Sequence, residues 1–180
     1  MTEKIERGLV QVYTGNGKGK TTASLGLALR AAGHGLKTII IQFMKGDESY
    51  GEIKALRTHL SKFITIKQTG QCSFVEKGNP SLDDIRLARE GIELARQAIS
   101  GKDYDIVILD EINCALDFSL VKLSDVLELI RKKPANMELV LTGRDACKEV
   151  IDAADLVTEM KEVKHYYVKQ KIPARKGIEW

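Results

Sequence analysis

Short runs of apolar and β-branched residues alternate along this chain with stretches whose apolar positions recur every three or four residues. Six runs read as strands: Leu9–Tyr13, Thr38–Phe43, Phe63–Lys67, Ile106–Leu109, Glu138–Leu141 and Leu156–Glu159. The first, second, fourth and fifth are almost unbroken, as strands buried on both faces should be; the third alternates and suits a place nearer a sheet edge. Between them, Ile85, Ala88, Ile92, Ala95 and Ile99 fall at spacings that draw one stripe along a helix. Ser81 and Asp84 form a capping box at its start, just after Pro80, and Gly101 is placed to end it. Leu123, Val126, Leu127 and Ile130 make a second stripe, closed before Pro134. Thr22–Ala32, rich in Ala and Leu, reads as a third helix, apolar on nearly every side and packed tightly under a sheet. Strand–helix alternation predicts an α/β fold, with a mostly parallel central sheet of about six strands and helices on both faces. Ligands of such sheets bind at the carboxyl ends of the strands.

At 180 residues the chain has the size of a single domain, residues 1–180, long enough to bury a core without disulfides or structural metal. Hydrophobic residues make up 43% and charged residues 29%, which excludes wholesale disorder. Apolar runs stop far short of the ~20 residues that span a bilayer, and the charged first seven residues lead into no signal-peptide core, so a cytoplasmic address is expected and no membrane partner. Net charge is +3, but residues 161–180 carry six basic side chains against two acidic ones, which leaves the other 160 residues at −1. That is not the broad basic footprint of a nucleic-acid-binding protein. The basic tail is either solvated or folded over an anionic ligand. Cys72, Cys114 and Cys147 are too widely spaced for a zinc site or a disulfide framework and read as small buried hydrophobes; His34, His59 and His165 lack metal-ligand spacing.

The strongest chemical signal is Val12-Tyr-Thr-Gly-Asn-Gly-Lys-Gly-Lys-Thr-Thr22, set between the first strand and the Ala/Leu-rich helix. Gly15, Gly17 and Gly19 allow a sharp backbone turn that presents N–H groups inward. The helix start adds a partial positive charge at the same point. Lys20 can reach a phosphate oxygen, and the Thr21 hydroxyl can ligate Mg²⁺. The match to G-x-x-x-x-G-K-[ST] is not strict, because Thr14 stands at the first glycine and Gly17 and Lys18 are extra. The second signal is Asp105-Ile-Val-Ile-Leu-Asp-Glu111, an apolar strand that delivers two carboxylates at its carboxyl end. Adjacent residues on an extended chain point to opposite sides, so one acid can join a metal shell while the other faces elsewhere, unless the strand end bends. Leu141-Thr-Gly-Arg144 and Gln42-Phe-Met-Lys-Gly46 end their strands at the same edge. Arg144 there contacts phosphate or makes a surface salt bridge. Phe74, in a loop after the third strand, is either a core plug or a ligand-facing ring.

These segments resemble the P-loop-type ATP:corrinoid adenosyltransferases, or cob(I)alamin adenosyltransferases, over nearly the whole chain from about Arg7 to Trp180. The likeness is carried by Thr14-Gly-Asn-Gly-Lys-Gly-Lys-Thr-Thr22, whose departures from the strict motif look like that family's own version of Walker A. It continues through Ile39–Gly46, Val107–Glu111, Leu141–Arg144, Val163-Lys-His165 and Gly177-Ile-Glu-Trp180. The resemblance implies a RecA-like fold, a homodimer, and transfer of the 5′-deoxyadenosyl group from MgATP to Co(I) of a corrinoid in adenosylcobalamin synthesis, with triphosphate released. It implies that ATP lies reversed in the loop, with its γ-phosphate where the α-phosphate of other NTPases sits, and that an electron-donating reductase is a partner. Carried onto this sequence, Gly15, Asn16, Gly17, Lys18, Gly19, Lys20, Thr21 and Thr22 would bind the nucleotide, with Asn16 beside the nucleoside end. Lys20, Lys18 and Arg144 would serve catalysis, and Thr21, Glu111 and Asp110 the metal. Some members carry a Phe-x-Trp pair that packs under the corrin ring; here Gly70–Gly78 holds Phe74 but no Trp, which leaves Phe74 as the ring-facing candidate. Without the resemblance, the same loop fits a P-loop ATPase or small-molecule kinase.

Overall fold

The computed structural model describes residues 4–180. Its elements run β1 (Val10–Thr14), α1 (Lys20–Gly33), β2 (Thr38–Phe43), α2 (Gly51–His59), β3 (Ile64–Thr69), α3 (Leu82–Ser100), β4 (Ile106–Asp110), α4 (Ile112–Asp117), α5 (Leu123–Lys132), β5 (Glu138–Thr142), α6 (Lys148–Asp152), β6 (Leu156–Glu159) and α7 (Tyr166–Gln170). The six strands form one sheet in the order β3-β2-β4-β5-β1-β6, and every pairing is parallel.

The unbroken apolar strands are explained by two cores. Ile39, Ile41, Val107, Leu109, Leu139 and Leu141 pack on one face with residues of α3, α4, α5 and α6. Ile40, Ile106, Ile108 and Val140 pack on the other with Ala28, Ala31 and Ala32 of α1 and Ile53 and Leu56 of α2. Successive side chains point to opposite faces, so both faces of each central strand must be apolar. Each such side chain contributes about 1.5–3 kcal/mol when fully buried. The alternating third strand is an edge strand, as its pattern predicts.

The Ser81–Asp84 capping box is present in both directions, and Gly101 is the C-cap of α3. Strand ends differ by one or two residues: β1 starts at Val10, β3 covers Ile64–Thr69, and β4 and β5 continue to Asp110 and Thr142. The expectation for α1 needs correction. The helix starts at Lys20, and only Lys20, Ser24, Ala28, Ala31 and Ala32 are buried, while Ala23, Gly26 and Leu29 face solvent. The sheet covers one side of the helix only, so its apolar composition reflects small residues rather than burial all round. Nor are the cysteines buried: Cys72 is exposed and Cys114 and Cys147 are half-buried, all as free thiols. No helix among the described residues is long and apolar enough to cross a membrane.

Candidate functional site

β1 and β4 lie on either side of β5, so the carboxyl ends of the three strands bring the glycine loop, the Asp110–Glu111 pair and Thr142–Arg144 to one edge. There a cavity of about 880 Å³ opens. It is lined by Asn16–Thr22, Lys45, Glu111 and Arg144 from the strand ends and the helix start, and by Phe74, Tyr166, Tyr167, Ile172 and Trp180 from the loop after β3 and the tail.

The loop holds its shape by contact with the end of β6. Gly17 N donates to the Met160 carbonyl at 2.6 Å, and Met160 N donates to the Thr14 carbonyl. A Cβ on Gly15 would stand 2.5 Å from that Met160 oxygen, and one on Gly17 2.7 Å from it, so both positions need glycine for close approach. Gly15 and Gly19 also have φ of 93° and 123°. Not all loop amides turn inward, since that of Gly17 is spent on Met160. No side chain caps α1 and no acid stands in its first turn, which leaves its N-terminal N–H groups to face an anion. Thr14, at the place of the strict motif's first glycine, is the last strand residue and accepts a bond from Ala146 N.

Lys20 bends back over the loop, donating from Nζ to the carbonyls of Gly15 (2.6 Å) and Gly17 (2.8 Å). Burial lowers its pKa, partly countered by Glu111. Lys18 turns the other way and pairs with Glu179 at 2.8 Å. Glu179 also accepts from Tyr166 and Arg175, and these three partners hold its carboxyl far below the usual range, Arg175 foremost. The basic residues of 161–180 are exposed, as the solvated reading of the tail expects, while Tyr166, Ile172 and Trp180 line the cavity.

Asp110 and Glu111 part as adjacent strand residues do, and the strand also bends. Asp110 is fully buried and accepts from Thr21 Oγ1 (2.9 Å), Thr142 Oγ1 (2.7 Å), Gln42 Nε2 (3.1 Å) and Lys45 Nζ (2.8 Å). Burial works to raise its carboxyl, but Lys45 and the hydroxyl bonds outweigh this and hold it below the ordinary aspartate value. Glu111 turns at φ 63° and lines the cavity; it stands at the N-cap of α4 without capping it, so its carboxylate stays available. Beside it, burial and the Glu111 charge push the Cys114 thiol up to about 12, the direction burial takes a structural cysteine. Among the described residues no three His, Cys, Asp or Glu side chains gather into a cage. One hydroxyl with one or two carboxylates is instead the donor set of a Mg²⁺ that keeps waters and takes phosphate oxygens. A cation already sits among these oxygens, the Lys45 ammonium.

Lys45 is the site residue that sequence reading did not single out. The segment Gln42–Gly46 points to this edge, yet only the β2–β4 register, which pairs Gln42 with Asp110, brings Lys45 to the carboxylates. Phe74 is wholly exposed at the cavity rim, so it is no core plug. Arg144 is exposed at the rim and makes no salt bridge among the described residues; its backbone N–H donates to Cys114 Sγ.

A parallel sheet of this order with a glycine–lysine–threonine loop at its carboxyl edge defines a RecA-like P-loop fold. The structure of the flagellar accessory protein FlaH from Methanocaldococcus jannaschii is similar, with TM-score 0.57 and 12% identity over 86% of this chain and 72% of that one, a likeness of fold alone. The family model for ATP:corrinoid adenosyltransferase BtuR/CobO/CobP matches residues 6–180. The corrinoid adenosyltransferase of Pseudomonas aeruginosa is 39% identical over 175 residues, 97% of this chain and 85% of that protein. That of Escherichia coli K12 is 34% identical over 97% of this chain and 87% of its own length. The chain belongs to the ATP:corrinoid adenosyltransferase family and is a transferase of that class.

Proposed function

We propose that this protein, acting as one unit, transfers the 5′-deoxyadenosyl group of MgATP to Co(I) of a corrinoid and releases triphosphate, a step in adenosylcobalamin synthesis. The observation that carries the reading is one cavity lined both by the glycine loop and by aromatic and apolar side chains, in a chain matched by the family over residues 6–180.

Co(I) is itself a strong nucleophile and attacks the 5′ carbon. A Co–C bond forms as the C5′–O bond breaks, its electron pair leaving with the triphosphate. No side-chain nucleophile is required, so the protein contributes positioning and charge stabilisation. Lys20, released from the loop carbonyls, together with Lys18, Arg144 and the uncapped start of α1, offsets the charge that grows on the leaving triphosphate. Gly15, Gly17, Gly19 and Thr22 shape the cradle, and Asn16 sits toward the nucleoside. Thr21 and Glu111, with Asp110 beside them, would hold Mg²⁺; the metal supplies positive charge to the phosphates. Phe74 faces the corrin ring. The reading includes a homodimer, a cytoplasmic setting and a reductase that delivers Co(I).

Anaerobic incubation with MgATP and reduced cobalamin tests it, followed by visible absorbance and phosphate speciation. Triphosphate formed only with reduced corrinoid is expected. ADP and phosphate would replace this reading with an ATPase or kinase.

A further inference from the structure

Lys45 follows β2 on a turn that is held from outside. Met44 adopts φ 57°, the left-handed region that few non-glycine residues enter. A Cβ on Gly46 would stand 2.4 Å from the Gly70 carbonyl, and one on Gly70 2.3 Å from Lys45 N, so the two backbones are pressed together here. Strain of this kind persists where the surroundings over-determine it. The result is to aim the Lys45 ammonium at 2.8 Å from Asp110 Oδ2, 3.2 Å from Thr21 Oγ1 and 4.0 Å from Glu111 Oε1. These are the three side chains whose oxygens suit a divalent cation.

Asp110 does not require Lys45 for hydrogen bonding, since Thr21, Thr142 and Gln42 all donate to it. The side chain also lines the cavity, alongside Lys20, Glu111 and Arg144. Around the cavity Lys18, Lys20, Lys45 and Arg144 stand against Glu52, Glu111 and Glu179, with Asp110 buried behind, so the charges balance. A divalent ion arriving alone would meet an ammonium among its own ligands and leave the site with excess positive charge. One arriving with a nucleotide brings more negative charge than its own, and gives the displaced ammonium phosphate oxygens to pair with.

From this geometry we propose that Lys45 occupies the divalent-cation position and makes uptake of the metal conditional on the nucleotide's phosphates. The inference rests on the MgATP site of the preceding section and adds a positioning residue to it. Lys45 holds the carboxylates aligned, then turns to the polyphosphate as the metal takes its place.

Mn²⁺ binding followed by paramagnetic resonance tests this in the full-length protein, without corrinoid. The unmodified protein should take up Mn²⁺ with ATP present and show no comparable site without it. Lys45→Met should bind Mn²⁺ without nucleotide at least about tenfold more tightly than the unmodified protein, the scale on which removing a competing charge acts. Lys45→Arg, which keeps the charge, should retain the nucleotide requirement; if it gains the site as Lys45→Met does, the charge argument is overturned. Equal Mn²⁺ affinity of unmodified protein and Lys45→Met without nucleotide would also overturn it. Should Lys45→Met not fold, melting of the unmodified protein decides. Mn²⁺ alone should leave the midpoint in place, and Mn²⁺ with ATP should raise it above ATP with chelator. A rise with Mn²⁺ alone equal to that with Mn²⁺ and ATP contradicts the proposal. The expected metal pattern with no triphosphate in the corrinoid assay would support the role of Lys45 and count against the transfer reaction alone.

Discussion

The two walls of the cavity are built in opposite ways. The sheet-side wall stands on strand ends: Asp110 is buried under four donors, and the glycine loop is clamped to Met160 by two backbone hydrogen bonds. The other part of the lining is an exposed phenylalanine and a tail held largely by one carboxylate, Glu179, which gathers Arg175, Tyr166 and Lys18. Fixed donors can stabilise developing charge because they need no reorganisation. A loosely held wall can open for a bulky partner, since elements with few buried contacts open at low free energy. The contrast is thus between a part held by many buried contacts and a part held by few.

Four experiments break or sharpen this contrast. Lys20→Ala should lower turnover by about 10²–10³-fold, the scale of losing one preorganised donor. Its melting midpoint should stay near the parent's; full activity would show that the fixed wall does not carry the charge. Gly17→Ala should destabilise by about 1–3 kcal/mol in denaturant melts, because its Cβ would meet the Met160 carbonyl at 2.7 Å. An unchanged midpoint would mean that the loop and β6 end move apart freely. Phe74→Ala should leave stability unchanged and reduce activity by only about 0.5–1.5 kcal/mol in barrier, the worth of one ring contact, mainly with Co(II) corrinoid plus reductant. An equal loss with pre-reduced Co(I) would remove the ring-facing role.

The smallest effect concerns pH. The Glu179 carboxyl is depressed by Arg175, Lys18 and Tyr166, so its contribution is complete above the ordinary glutamate value of 4.5 and is lost only as pH falls below that toward the folded value. Emission from Trp180, the single tryptophan, should hold steady down through pH 4.5 and shift below it. Glu179→Gln should show the shifted spectrum at neutral pH. A shift centred at the ordinary value would mean that the clasp is not formed in solution.

How much was legible follows the same division. The central strands could be located because two-sided burial writes unbroken apolar runs, and the loop and the Asp110–Glu111 pair because their chemistry lies in adjacent residues. The short helices α4, α6 and α7 left no stripe, since five or six residues present too few apolar positions to set a period. α2 places only Ile53 and Leu56 in the core. Lys45 stayed hidden because its partners come from β4 and α1, and the adjacency of β2 to β4 is a matter of sheet order, which residue spacing does not state. The tail read as a basic segment, while its decisive residue is an acid.

The strand that carries the loop has no early neighbour. β1 pairs with β5 and β6, which follow it by more than a hundred residues, while β2, β3 and β4 pair among themselves in between. The glycine segment is therefore without a strand neighbour until β5 and β6, far along the chain, dock beside β1. Docking of β2, β3 and β4 alone would leave that strand, and with it the cradle, unsupported.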